Sequence, residues 1–112
     1  MDETVLAAHR ASLEAERERL RSQLGEPVPA PDQMTYGSQA AAASQVFEQQ
    51  RHLALRERSE RALADVEAAI DRLDGGTYGA CVSCGRPIDG DRLAALPWAA
   101  RCIDCQRAGD HG

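Results

Sequence analysis

The chain's four cysteines form two Cys-x-x-Cys pairs, Cys81/Cys84 and Cys102/Cys105, with seventeen residues between the pairs. No other feature restricts the fold so tightly. A Cys-x-x-Cys turn aims two sulfurs at one point, and a second such turn completes the tetrahedral shell that zinc takes from thiolates. The spacing lies in the range of zinc-ribbon-like sites. Gly85 follows the first pair, where a residue without Cβ lets the backbone curl its N–H groups toward the sulfurs. Residues 78–112 therefore read as a small lobe held by one structural Zn2+, with Cys81, Cys84, Cys102 and Cys105 as the candidate ligands. A piece this short has too little core to fold unaided, and a metal contributing on the order of 10–16 kcal/mol makes up the deficit. Ile88, Leu93, Leu96 and Trp98 are the apolar side chains expected to cover it. A thioredoxin-like redox pair would need one bracket inside a βαβ pattern that is absent. A catalytic zinc would keep an open position that four thiolates close. Spacing alone leaves iron–sulfur ligation open.

The remainder reads as helix. Leu6, Leu13, Leu20 and Leu24 fall on one helical stripe, with charges of both signs around it, which predicts an amphipathic helix over about 4–24. Pro27, Pro29 and Pro31 forbid its continuation, so residues 25–37 read as a loop. A second helix is predicted over about 38–74, with Ser38 as candidate N-cap and Gly75 and Gly76 ending it. Its stripe is Leu55, Leu63, Val66, Ile70 and Leu73. Leu6 to Leu24 and Leu55 to Leu73 both span 18 residues, roughly 27 Å each at helical rise. Equal stripes predict an antiparallel pair with Leu24 near Leu55 and Leu6 near Leu73. The expected fold is mostly α: an antiparallel two-helix coiled-coil hairpin over 1–77, followed by a four-cysteine zinc-finger lobe.

Charge narrows the function. The net charge is −5, and residues 78–112 balance four Arg against four Asp. No segment is a basic footprint, so direct DNA binding is not expected. The N-terminus MDETVLAAHR lacks the basic head and apolar run of a signal peptide. No apolar stretch is long enough to span a membrane. Clustered thiols without a secretory leader fit a reducing, cytoplasmic setting. No Ser-His-Asp set, phosphate loop or paired-carboxylate arrangement is present, so an enzyme is not expected.

The run GTYGACVSCGRPIDGDRLAALPWAARCIDCQ resembles the DksA/TraR family of bacterial transcription factors. The matching features are Tyr78-Gly79, Cys84-Gly85, Pro87-Ile88, Arg92-Leu93, Ala95, Pro97 and Cys102-Ile103-x-Cys105. The resemblance implies a protein that binds RNA polymerase rather than DNA. It implies a hairpin inserted into the polymerase secondary channel, acidic residues at its tip acting near the catalytic magnesium, and often the alarmone ppGpp as co-effector. The family's tip motif, Asp-x-x-Asp-x-Ala, falls without gaps on residues 38–43, where only Ala43 matches and both acids are missing. The nearest carboxylates are Asp32, Glu26 and Glu48. Asp32, Tyr36 and Ala43 are therefore the tip candidates for partner contact. The chain stops seven residues after Cys105, so at most a remnant of the family's C-terminal helix is expected.

Other residues have plainer readings. His9 and His52 are expected to pack along the helix stripes, Met34 and Tyr36 to pack within the loop or contact a partner, and Trp98 to cover the lobe. A second function, from a different class, also fits the alanine-rich SQAAAAS: an adaptor or structural module docking another protein, or a second copy of itself as a homodimer.

Overall fold

The computed structural model of the chain describes residues 1–26 and 39–110. Two long helices dominate it, α1 (Glu3–Gly25) and α2 (Gln39–Gly75), followed by the short α3 (Gly90–Ala95) and α4 (Ile103–Asp110). Among the described residues there is no strand, only an isolated antiparallel bridge between Ala80 and Pro87. The molecule measures 62 × 32 × 20 Å, an elongated shape set by α2, whose 37 residues rise about 55 Å.

Both ends of the hairpin's base have identifiable chemical stops. Asp2 caps α1, its Oδ1 accepting from the Val5 N–H at 2.9 Å. This satisfies one of the four orphan donors at a helix start. Gly76, at φ +77°, ends α2. The Gly76 N–H reaches the Leu73 carbonyl at 3.3 Å, and the Thr77 N–H reaches the Arg72 carbonyl at 2.9 Å. That pairing is a Schellman cap, which needs one left-handed residue and so favours glycine.

The helices pack through a short core of Leu13, Leu20, Val66, Ala69 and Ile70, with Ala62, Leu63 and Leu73 against it. Ala69 is fully buried and was not part of the predicted stripe. A small side chain there lets the two backbones approach; Ala69 keeps the stripe's spacing, three residues after Val66 and four before Leu73, but alanine is too weakly apolar to mark a stripe. Leu6 and Leu73 line one shallow groove at the base, as the equal stripes imply. At the other end the expectation fails: Leu55 is 44% exposed, and Arg56 is the residue that meets Leu24. Leu55 lies five whole turns from Leu73 and so on the same side of α2, but the contact with the last turn of α1 is made by Arg56.

Ion pairs line the hairpin's flanks, Arg10 with Asp74 at 2.8 Å and Arg21 with Glu67 at 3.2 Å. Their side chains are well exposed, so they set register more than they stabilise. The expectations placed on Pro27, Pro29, Pro31, Asp32, Met34, Tyr36 and Ser38 lie outside the described residues. No helix among the described residues is long and apolar enough to cross a membrane.

Candidate metal centre

The first Cys-x-x-Cys turn begins five residues after the α2 cap. The Cys81 N–H donates to the Arg86 carbonyl at 2.8 Å, and the Gly85 N–H donates back to the Cys81 carbonyl at 2.9 Å. Closing this tight loop requires Gly85 at φ +77°. The Ser83 N–H points at Cys81 Sγ, 3.4 Å away. The second turn is the start of α4, where the Cys102 carbonyl accepts from the Gln106 N–H at 2.9 Å. The Val82 N–H donates to the Ala100 carbonyl at 2.9 Å and ties one turn to the other.

Together these bonds bring the sulfurs of Cys81, Cys84, Cys102 and Cys105 within 4.8 Å of one another. Cys84 and Cys102 stand 3.8 Å apart. A regular tetrahedron with Zn–S bonds near 2.3 Å has edges of about 3.8 Å, so the cluster has the size zinc requires. All four are free thiols, and four protein sulfurs fill the shell with no position left for substrate.

Electrostatics favour anionic sulfur at one corner. Burial opposes ionisation of Cys81, but N–H groups from Cys102, Cys84 and Ser83 outweigh it and bring the thiol down to about 6. Cys105 is pushed up to about 12, chiefly by its contacts with Cys102, Cys84 and Cys81. Four crowded sulfurs resist ionising together, and a divalent cation relieves that repulsion.

Around the sulfurs lies a second core of Cys81, Ile88, Leu93 and Ala99, with Tyr78, Cys102 and Cys105 packed on it. Ile88 and Leu93 cover the cluster as expected. Leu96 and Trp98 do not: Leu96 is 37% exposed, and Trp98 packs against the hairpin core. An indole in a metal lobe reads from sequence as cover for that lobe. Here the loop over 97–101 turns it toward α2.

Tyr78 is packed against both cores. Its hydroxyl donates to the Pro97 carbonyl at 2.8 Å, and its ring lies 5.5 Å from that of His9. His9, expected to pack between helices, instead meets the aromatic that joins hairpin and finger. His52 is half-buried on the distal part of α2, its Nε2 4.0 Å from Glu48. Ala43 is exposed near the start of α2, whereas Asp32 and Tyr36 lie outside the described residues. After the second knuckle, α4 runs eight residues, a helix of just over two turns that begins inside the metal-binding turn itself.

Four similarities to known proteins bear on this arrangement. The sequence profile of the prokaryotic dksA/traR C4-type zinc finger matches residues 76–108. The RNA polymerase-binding transcription factor DksA of Escherichia coli K12 is 32% identical over 108 residues, covering 95% of this chain and 72% of that protein. An uncharacterized protein of Aquifex aeolicus is 40% identical over 43 residues, a match spanning 38% of this chain and 30% of the other. The structure of transcription factor DksA2 from Pseudomonas aeruginosa superposes with a TM-score of 0.74 at 28% identity, covering 99% of this chain and 87% of that one.

Proposed function

Because this chain belongs to the DksA/TraR family, we propose that it regulates transcription by binding RNA polymerase, with its hairpin entering the secondary channel. Its cofactor is a structural zinc ion, as the C4 finger and the clustered thiols require. We assign Cys81, Cys84, Cys102 and Cys105 as the ligands. The observation that carries the reading is architectural: hairpin and finger together match a solved DksA2 across nearly the whole chain, not the finger alone.

The geometry suits that task. Beyond the level of Gly25, α2 continues through about sixteen more residues toward Gln39, roughly 24 Å of helix directed away from the finger. A rigid rod of that length reaches into a narrow passage while the finger stays at its mouth. Ala40 to Ala43 place no carboxylate on the first turns of α2, and Glu48 is the first acid along it. Action on a bound magnesium therefore falls to Asp32, or the hairpin acts by occupying the channel. Binding without a magnesium-directed acid competes with other channel ligands and leaves catalysis at the metal unaltered.

The test is binding of zinc-loaded protein to RNA polymerase from the same bacterium, with and without a competitor in the secondary channel and with and without ppGpp. Competed binding supports the reading, and absence of binding overturns it. An adaptor role is the second reading, favoured by Val46 and Phe47, 57% and 65% exposed on distal α2. It predicts association with another protein, or a homodimer in sedimentation, when polymerase is absent.

A further inference from the structure

The loop that leads into the second metal-binding turn is held by its carbonyls, and the donors change hands along it. Pro97 accepts from the Tyr78 hydroxyl at 2.8 Å, and Trp98 accepts a longer bond, 3.5 Å, from Arg72 Nη2. Arg72 lies in the last turn of α2, and Tyr78 stands just past its cap, where the hairpin gives way to the finger. Ala100 then accepts from the Val82 N–H at 2.9 Å and Arg101 from Arg92 Nε at 3.0 Å, donors within the finger. Cys102 is the next residue. Within five residues the chain passes from the hairpin's grip to the metal site.

We propose that Tyr78, assisted by Arg72, is a positioning residue for zinc: by clasping residues 97–98 onto the hairpin it holds Cys102 and Cys105 where the metal needs them. Three further contacts fix Tyr78 itself. Its N–H is bound to the Arg72 carbonyl at 3.1 Å, its ring lies beside His9, and its side chain packs on both cores. Trp98 adds packing against the helix core on the same loop. Without metal, nothing bonds the sulfurs of the two cysteine turns into one shell, and only a fraction of fingers holds all four together. Apparent zinc affinity scales with that fraction. Losing one hydrogen bond of the ordered loop therefore weakens zinc binding by roughly 3- to 10-fold. Linkage makes the effect mutual, so zinc stabilises the finger's docking on the hairpin by the same factor that docking favours zinc.

The experiment needs no polymerase. Zinc dissociation constants of the full chain are measured by competition with a chromophoric chelator for the unaltered protein, Tyr78→Phe and Arg21→Gln. Tyr78→Phe keeps the ring and removes only the bond to Pro97. Arg21→Gln removes the hairpin ion pair with Glu67, which makes none of the loop's hydrogen bonds. The expected result is a 3- to 10-fold loss of zinc affinity for Tyr78→Phe and none for Arg21→Gln. Chemical denaturation with and without zinc supplies a second readout, in which Tyr78→Phe shrinks the zinc-induced rise in the unfolding midpoint. A Tyr78→Phe protein that binds zinc as tightly as the unaltered chain overturns the proposal. So does an equal loss in both variants, which would report general destabilisation of the hairpin.

Discussion

Arg56 reaches across the hairpin and donates from Nη1 to the backbone carbonyl of Leu24, 3.0 Å away, in the last turn of α1. Helix C-termini leave carbonyls without intrahelical partners, and a cation is favoured there by the helix dipole as well. One guanidinium thus closes α1 and fixes its register against α2, while also pairing with Glu60 at 3.4 Å. Arg56→Ala should cost about 1.5–3 kcal/mol, the range for a hydrogen bond to a charged group. Arg56→Lys should recover part of it. Urea unfolding of the three proteins reads both numbers, and an unaltered midpoint for the alanine variant would mean the contact is incidental.

Leu13 has no exposed surface, whereas Leu55, equally apolar and also assigned to a stripe by periodicity, is 44% exposed. Truncation should separate them. Leu13→Ala is expected to cost about 2–5 kcal/mol, a large share of what so thin a core supplies. Leu55→Ala should stay within about 0.5 kcal/mol. Thermal melts followed by far-UV circular dichroism make the comparison.

Gly85 and Gly90 both have open space where a Cβ would go. Only Gly85 has a positive φ, +77°. Alanine at 85 should therefore destabilise the finger by about 1 kcal/mol or more through backbone strain alone. Alanine at 90, the first residue of α3, should be neutral or slightly stabilising. Zinc-dependent protection of the finger from protease, measured for each variant, distinguishes them.

Glu16 accepts from Arg19, with Nε to Oε2 at 3.1 Å, and this bond holds its carboxyl below the ordinary glutamate value against a smaller opposing effect of burial. The folded-state value is depressed, so the contribution to stability is present above about pH 4.5 and fades as pH falls through the lowered value. Both side chains are partly solvated, which keeps the effect small. Carboxyl titration by NMR should show Glu16 below the ordinary glutamate value, and Arg19→Gln should return it to the ordinary range.

Metal removal should act unevenly along the chain. One zinc per chain is expected by elemental analysis. Chelation should expose residues 78–106 to protease, yet most helical signal should persist, because α1 and α2 hold most of the helical residues. Cys84→Ser should reproduce the effect without a chelator.

The sequence by itself determined the features that depend on near neighbours. Two Cys-x-x-Cys turns with a glycine after the first dictate a four-sulfur cluster, since local backbone geometry alone aims each pair. Leucine periodicity dictates two helices, and the paired glycines dictate where the second one stops. The family run dictates the relatives. Tertiary structure decided whatever depends on how the two bodies meet. Whether an aromatic such as Trp98 covers a metal or a helix is set by the path of the loop carrying it, and no periodicity records that path. The path of the last turn of α1 against α2 decided that Arg56 rather than Leu55 meets Leu24, and close backbone approach decided that Ala69 is core. Tyr78 is the clearest case. In sequence it is one residue of a family motif, and only packing makes it the joint among α1, α2 and the metal-binding loop.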